Sequence, residues 1–133
     1  RHPWENIVIF YMSYKEHALS FLQMIIADRI DEAYDQYVDP NGKHHNAFYT
    51  AGFEALKQGM KENHKLFPHK KLMVKQVLED GDRVAVHSEL VLDPAKPHLI
   101  VVHLFRFEHG KIVEVWDCGQ EIPVNSPNTD GIY

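Results

Sequence analysis

The sequence has one cysteine, no long apolar run and no excess of positive charge. The single cysteine, Cys118, rules out an internal disulfide bond and fits a reducing compartment, so we expect a cytoplasmic protein. There is no run of about 18 apolar residues, which argues against a membrane-spanning helix. The formal net charge of −5 disfavours nonspecific binding to nucleic acid, because such binding requires a basic surface.

Sequence signatures of common cofactor sites are absent as well. There is no glycine-rich phosphate loop, no dinucleotide-binding fingerprint and no G-x-S-x-G nucleophile turn. No zinc motif such as H-E-x-x-H is present, although the chain has 10 histidines. We therefore expect chemistry that needs neither a cofactor nor a covalent intermediate.

The length and composition predict a single globular domain over residues 1–133. The chain is 44% hydrophobic and 25% charged, enough for one sizeable core. Residues 1–13 are predicted to be an N-terminal extension, in which the segment 4–12 is apolar without a clear period. Residues 122–133 contain Pro123, Pro127 and Gly131 and are predicted to be an irregular C-terminal arm.

The first half of the chain has the apolar spacing of helices. Apolar side chains recur every three or four positions over residues 14–27. A second helix, capped by Asp31, is predicted to reach Tyr37, and a third to span about residues 51–66. Residues 39–42, with the sequence DPNG, are predicted to form a turn.

The second half is predicted to consist of strands, over residues 72–78, 83–92, 98–108 and 111–119. Short turn sequences such as Asp80-Gly81-Asp82 and His109-Gly110 join them, so neighbouring strands should be antiparallel. The predicted fold is α+β, a curved, cone-shaped antiparallel sheet wrapped around about three helices. Such a fold encloses a pocket, the usual place for a small apolar ligand.

Asp117 is the most informative residue, because carboxylates are rare inside apolar strands. In the segment IVEVWDCGQ, Val113, Val115 and Asp117 share one strand face. That face is apolar except for its last member, as expected for a pocket wall that ends in a general base. The alternative is a structural carboxylate that caps the turn at Cys118-Gly119.

His103 is the candidate partner of Asp117, but the strand register leaves two arrangements open. Val101, His103 and Phe105 share a face of their strand. A plain two-residue turn at His109-Gly110 would put Asp117 on the opposite face, whereas one β-bulge in either strand would bring it to the face of His103.

Other polar residues extend this candidate site. His44, His45 and Asn46 follow the predicted turn and precede Phe48, and His87 interrupts an apolar strand. They are candidates for a pocket mouth or wall. A metal-binding alternative would use His44, His45, His87 or His103, since histidines with a carboxylate can form a metal triad.

Five blocks of sequence carry a family resemblance: KHHNAF (43–48), FEALKQGM (53–60), EDGDRVAVHSE (79–89), VVHLFRFEHGKIVEVWDCGQ (101–120) and PVNSPNTDGIY (123–133). Together they resemble the SnoaL-like polyketide cyclase branch of the nuclear transport factor 2-like superfamily, whose fold is a cystatin-like α+β roll. The resemblance implies a deep cone-shaped pocket and a homodimer through the outer sheet face. Glu89 departs from the pattern, because many relatives have a second histidine there.

The resemblance also implies a function and a set of site residues. In the cyclases the Asp of a WD motif is the general acid/base of an aldol ring closure without cofactor, a role that falls on Asp117. His103 corresponds to a pocket-facing position, which favours the bulged register. With these two catalytic residues we group seven substrate-binding candidates: His45, Asn46, Phe48, His87, Phe105, Val115 and Trp116.

The primary hypothesis is therefore a cofactor-independent enzyme that acts on a hydrophobic carbonyl compound by aldol cyclisation, isomerisation or dehydration. The alternatives are a noncatalytic small-molecule-binding or dimeric scaffold module of the same fold, and a metal-dependent site.

Overall fold

The computed structural model describes residues 13–133, so the predicted N-terminal extension lies outside the described residues except for Ser13. This range contains three helices and five strands, in the order α1 (Tyr14–Ile26), α2 (Ile30–Tyr37), β1 (Val38–His44), α3 (Phe53–Leu66), β2 (Lys71–Asp80), β3 (Arg83–Val91), β4 (Leu99–Glu108) and β5 (Lys111–Glu121). The predicted α+β class is confirmed. Within the same range no helix is long and apolar enough to cross a bilayer.

The strands form one open sheet in the order β1-β5-β4-β3-β2. Strands β2 to β5 are the antiparallel meander that the sequence predicts. Strand β1 was not predicted; it pairs with β5 in parallel and makes the sheet mixed. The turn predicted at residues 39–42 is not found as such: these residues belong to β1, where the register shifts between Val38 and Lys43 and the Asn41 N–H donates to Asp39 Oδ1 (2.9 Å).

Helix starts follow local capping chemistry only in part. Ser13 caps α1, since its Oγ accepts a hydrogen bond from the Glu16 N–H (3.2 Å). Helix α2 begins at Ile30, with Arg29 in the N-cap position, two residues before the predicted cap Asp31. Asp31 lies in the first turn instead, where the helix dipole stabilises a negatively charged carboxylate. It also accepts a hydrogen bond from Lys61 Nζ.

The core lies between the three helices and the inner face of the sheet. Phe21 of α1 packs edge-on against Phe105 of β4, with ring centroids 6.0 Å apart. Tyr34 of α2 meets Phe53 of α3 in the same manner at 6.2 Å. All four side chains are buried, and each fully buried side chain of this size contributes about 1.5–3 kcal/mol to stability. The inner face of β4 and β5 is thus the floor of the core.

The β4–β5 hairpin sets the register that matters for Asp117. His109 and Gly110 both have positive φ (51° and 77°), as the two-residue turn of type I′ requires, and Glu108 pairs with Lys111. Phe107 then pairs with Ile112 but Arg106 pairs with Glu114, which leaves Val113 as an extra residue. The structure therefore has the bulged register of the two that the sequence left open.

Candidate functional site

A small cavity lies between the helices and the inner face of the sheet. Its walls are apolar except for Tyr34, His103 and Asp117; the other lining residues are Phe21, Leu22, Val38, Phe53, Leu56, Met60, Phe105, Ile112 and Val115. The cavity measures about 20 Å³, room for one water molecule. Three polar side chains thus meet in an otherwise apolar enclosure.

His103 and Asp117 are brought together by the bulge at Val113. They are directly opposite each other on β4 and β5. Side chains in such a pair share a sheet face, with Cβ atoms about 5 Å apart. The two residues therefore reach the cavity from neighbouring strands, as the bulged register requires.

The carboxylate of Asp117 is half-buried and has a specific partner. Asn46, in the loop after β1, donates a hydrogen bond from Nδ2 to Asp117 Oδ2 (2.9 Å). Asn46 reaches this position because His45, the residue before it, continues the pairing of β1 with β5 through its N–H to the Val115 carbonyl (2.8 Å). The candidate base is thus held by an amide from a distant part of the chain.

His103 occupies an environment that favours its neutral form. Its ring is stacked on Phe105, with centroids 6.0 Å apart, and its Nδ1 is buried with no hydrogen-bond partner among residues 13–133. Burial lowers the pKa of His103, and the negative charge of Asp117 opposes this shift only in part. A buried polar atom without a partner costs about 1–3 kcal/mol, a cost common at functional sites.

Tyr34 is a cavity residue that the sequence reasoning missed. Its hydroxyl donates to Met60 Sδ (3.2 Å), which is a weak acceptor. Burial raises the pKa of Tyr34, with a further contribution from the charge of Asp117, so the phenol stays protonated. The spacing of Ile30, Tyr34 and Tyr37 along one helix face was the signal that could have located it.

One protein family matches the sequence over most of the chain. The family model described as SnoaL-like polyketide cyclase matches residues 16–126. The chain belongs to the SnoaL-like polyketide cyclase family. Among curated protein sequences, none matches it significantly.

Solved structures show the same fold at low sequence identity. An uncharacterised cystatin-fold protein from Novosphingobium aromaticivorans is 20% identical with a TM-score of 0.70, over 80% of this chain and 98% of its own. A SnoaL-like polyketide cyclase from Agrobacterium tumefaciens is 16% identical with a TM-score of 0.69, over 82% and 92%. An NTF2-like protein of unknown function from Cytophaga hutchinsonii is 15% identical with a TM-score of 0.67, over 82% and 91%.

Not every predicted site residue of this SnoaL-like chain reaches the cavity. Phe105 and Val115 line it beside the two candidate catalytic residues, and Asn46 contacts Asp117. Phe48 is 89% exposed. His87 lies on the outer sheet face, next in sequence to Val86, which pairs with His103, and its Nδ1 accepts from Gln76 Nε2 (2.9 Å).

His45 and Trp116 also lie on the outer face, where they belong to a charged cluster. Their rings are stacked with centroids 5.0 Å apart, and His45 Nε2 lies 2.6 Å from Glu114 Oε2. Arg106 donates to the other oxygen of Glu114 through Nε (3.1 Å), and Arg83 lies over the Trp116 ring. One residue of offset separates the faces, so His45 points outward while Asn46 points inward.

The histidines of the metal-binding alternative lie apart. His44 contacts the Thr50 carbonyl, His45 lies on the outer face, His87 contacts Gln76, and His103 lies in the cavity. Across residues 13–133, no group of three His, Cys, Asp or Glu side chains is placed to hold a metal ion.

The partly buried position of His103, with its Nδ1 inaccessible to solvent, predicts a pH-dependent stability. Since burial lowers its folded-state pKa, His103 binds up to one more proton in the unfolded chain than in the folded chain at pH values between the folded-state pKa and 6.5, the ordinary value. Stability should therefore fall as the pH decreases from 6.5 towards the folded-state pKa, with a contribution from His103 of up to about 1.4 kcal/mol per pH unit. The His103→Phe variant should show a shallower slope in denaturant unfolding across this range.

The exposed His69 offers a control for this measurement. The variant His69→Phe removes a histidine of the same chain without touching the cavity, and its slope should equal that of the unmodified protein. Equal slopes for the His103→Phe variant and the unmodified protein would show that His103 titrates alike in the folded and unfolded chains.

Proposed function

We propose that this protein is a cofactor-independent enzyme that removes a proton from the carbon next to the carbonyl of an apolar substrate. The observation that carries the proposal is the position of Asp117 directly opposite His103, both lining an otherwise largely apolar cavity. The membership in the SnoaL-like polyketide cyclase family supports it.

In this proposal Asp117 is the general base and the cavity donors hold the oxygen of the resulting enolate. Asp117 accepts the carbon-bound proton, a step that positioned acid–base catalysis accelerates about 10²–10⁴-fold. His103 and Tyr34 supply N–H and O–H donors to the enolate oxygen. The enolate then attacks a second carbonyl to close a ring, and the new alkoxide takes up the proton held by Asp117. Alternatively, Asp117 returns that proton to another carbon of the enolate, or the enolate expels a β-hydroxyl group, which takes up the proton and leaves as water. The proton transfers need no cofactor.

Substrate binding requires the cavity to open, because about 20 Å³ is too small for an organic molecule. A cleft of about 260 Å³ adjoins the cavity, and Tyr34, Val38 and Phe53 line both. Displacement of Phe53 and of the adaptable Met60 would join them into a space near the lower end of known ligand pockets, about 300 Å³. The aromatic lining favours a small hydrophobic carbonyl compound.

Proton exchange tests this proposal without knowledge of the final product. Aryl methyl ketones and β-ketoesters are incubated with the protein in D₂O, and loss of the α-proton signal is followed by NMR. The proposal expects exchange above the buffer rate for at least one compound, whichever reaction follows. Failure of the whole panel, with the folded protein present, would count against enolate chemistry.

Tyr34 provides a separate prediction about the enolate oxygen. The Tyr34→Phe variant keeps the ring in the core and loses only the hydroxyl, so its exchange rate should fall about 10²-fold. Tyr37→Phe is the matched control, since Tyr37 is buried on the same helix and its hydroxyl donates to Ser20 Oγ (2.8 Å) away from the cavity. If both variants catalyse α-proton exchange at the rate of the unmodified protein, Tyr34 is not a catalytic donor.

The small volume of the cavity favours a second candidate, a noncatalytic binding or scaffold module of the same fold. A cavity filled by its own side chains, as here by Met60 and Phe53, suits a structural core. Binding of the same ketones without any exchange, detected by ligand-observed NMR, would support this second function.

We further propose a homodimer in the cytoplasm. The outer sheet face carries the partly exposed apolar side chains of Val102, Leu104 and Trp116 beside the charged cluster around Glu114, a mixture suited to a protein interface. Cys118 is exposed and unpaired, as in a reducing compartment. Sedimentation equilibrium measures the mass of the protein in solution, and a monomer mass at micromolar concentration would contradict the homodimer. Cell fractionation tests the cytoplasmic location.

A further inference from the structure

The loop that follows β1 is held by hydrogen bonds of its own residues. His44 is buried, and its Nδ1 accepts from the Asn46 N–H (3.0 Å). Since Nδ1 is an acceptor, a neutral His44 must carry its proton on Nε2, which then donates to the Thr50 carbonyl (2.7 Å). His44 is therefore committed to one tautomer, and that tautomer ties Asn46 to the loop.

Hydrogen bonds also fix the side-chain amide of Asn46 in one orientation. Its Oδ1 accepts from the Phe48 N–H (2.9 Å), so its Nδ2 must face Asp117, to whose Oδ2 it donates (2.9 Å). A flipped amide would place an oxygen against a carboxylate oxygen and an NH₂ group against a backbone N–H. Both ends of the amide thus select the same orientation.

We infer that Asn46 is a positioning residue for Asp117, and that His44 acts through Asn46 by holding it in place. Asn46, expected from the sequence to contact substrate, thus controls the carboxylate instead. The catalytic meaning of this role rests on the proposed function, whereas the hydrogen-bonded frame stands on the geometry alone.

The frame leaves the two carboxylate oxygens of Asp117 unequal. Oδ2 is occupied by the Asn46 amide, so Oδ1 is the oxygen available to accept a proton from carbon. A charge-assisted hydrogen bond also limits rotation of the carboxylate. Because a displacement of about 1 Å at a reacting group can cost about 10²-fold in rate, loss of this frame should slow exchange substantially.

NMR of the unliganded protein tests the frame directly. We expect the Asp117 side-chain carboxyl carbon to give one narrow signal that shifts or broadens in the Asn46→Ala variant. Asn63→Ala is the matched control, since the Asn63 amide oxygen accepts from Lys70 Nζ (2.7 Å) elsewhere in the fold, and it should leave that signal unchanged. An unchanged Asp117 signal in a folded Asn46→Ala variant overturns the inference. If that variant does not fold, Asn46→Ser is subject to the same criterion.

Kinetics of ketone exchange separate positioning from substrate binding. With a ketone that the unmodified protein exchanges, Asn46→Ala should lower kcat by about ten- to hundredfold with little change in KM. A raised KM at unchanged kcat would assign Asn46 to substrate binding and overturn the inference. If no ketone is exchanged, the proposed function fails while the carboxyl signal still decides whether Asn46 orients Asp117.

Discussion

Replacing Asp117 with asparagine is expected to reduce the rate of α-proton exchange about 10²–10⁴-fold, the range attributed to a positioned general base. Asparagine has nearly the same shape and retains an oxygen that can accept the Asn46 hydrogen bond, but its amide is not a base at neutral pH. The fold should therefore persist while the chemistry is lost. Exchange in D₂O by NMR, with circular dichroism to confirm folding, measures both.

Asp130→Asn is the control for charge alone. Asp130 is exposed in the C-terminal arm and lines neither the cavity nor the adjoining cleft, so its replacement removes one negative charge and should leave the rate unchanged. An unchanged exchange rate in the Asp117→Asn variant would mean that another group is the base. Equal losses in both variants would point to the net charge of the protein rather than to proton transfer by Asp117.

Replacing Gly42 with alanine is expected to destabilise the fold by about 3 kcal/mol, at the upper end of overpacking effects. A Cβ at this position would overlap the Val113 carbonyl group and the Phe53 ring. The Val113 carbonyl is backbone in the β5 bulge, so relief of the overlap must move the strand that carries Asp117. Denaturant unfolding at equilibrium measures the loss, a large fraction of a typical total of about 5–15 kcal/mol.

Gly119, which lies in β5, provides the comparison. A Cβ there would meet the Ile100 carbonyl oxygen at 3.2 Å and a methyl group of Val101 at 3.3 Å, contacts that small shifts can relieve. Gly119→Ala should therefore cost clearly less than Gly42→Ala. Similar losses in the two variants would show that β1 and the bulge are not in close contact.

Local sequence patterns predicted the elements of the β4–β5 hairpin but not its register. The His109-Gly110 turn and the alternation of apolar residues were sufficient to place both strands. The sequence is compatible with two registers, one with a β-bulge and one without, because either register satisfies the turn. The close approach of Gly42, about 70 positions earlier in the chain, shows that the bulge is packed against β1.

The sequence does not predict strand β1 or the directions of the side chains that follow it, for a related reason. The sequence DPNG has a turn signal, but in the structure it lies within β1, whose register shifts there while its parallel neighbour β5 pairs with it on both sides. This pairing sends His45 to the outer face and Asn46 to Asp117. Alternation within a short loop does not predict these directions, since the face is determined by the partner strand.

The sequence by itself determined the class of the fold and the chemical character of its key strand. The apolar spacings distinguish helices from strands, and a carboxylate on the strand face shared with Val113 and Val115 marked Asp117, since these signals depend on residues close together in the chain. Only the tertiary structure decided that Asp117 faces His103, that Tyr34 shares their cavity and that Asn46 holds the carboxylate. These relations depend on a bulge and on the pairing of β1 with β5, which form only when segments distant in sequence pack against each other.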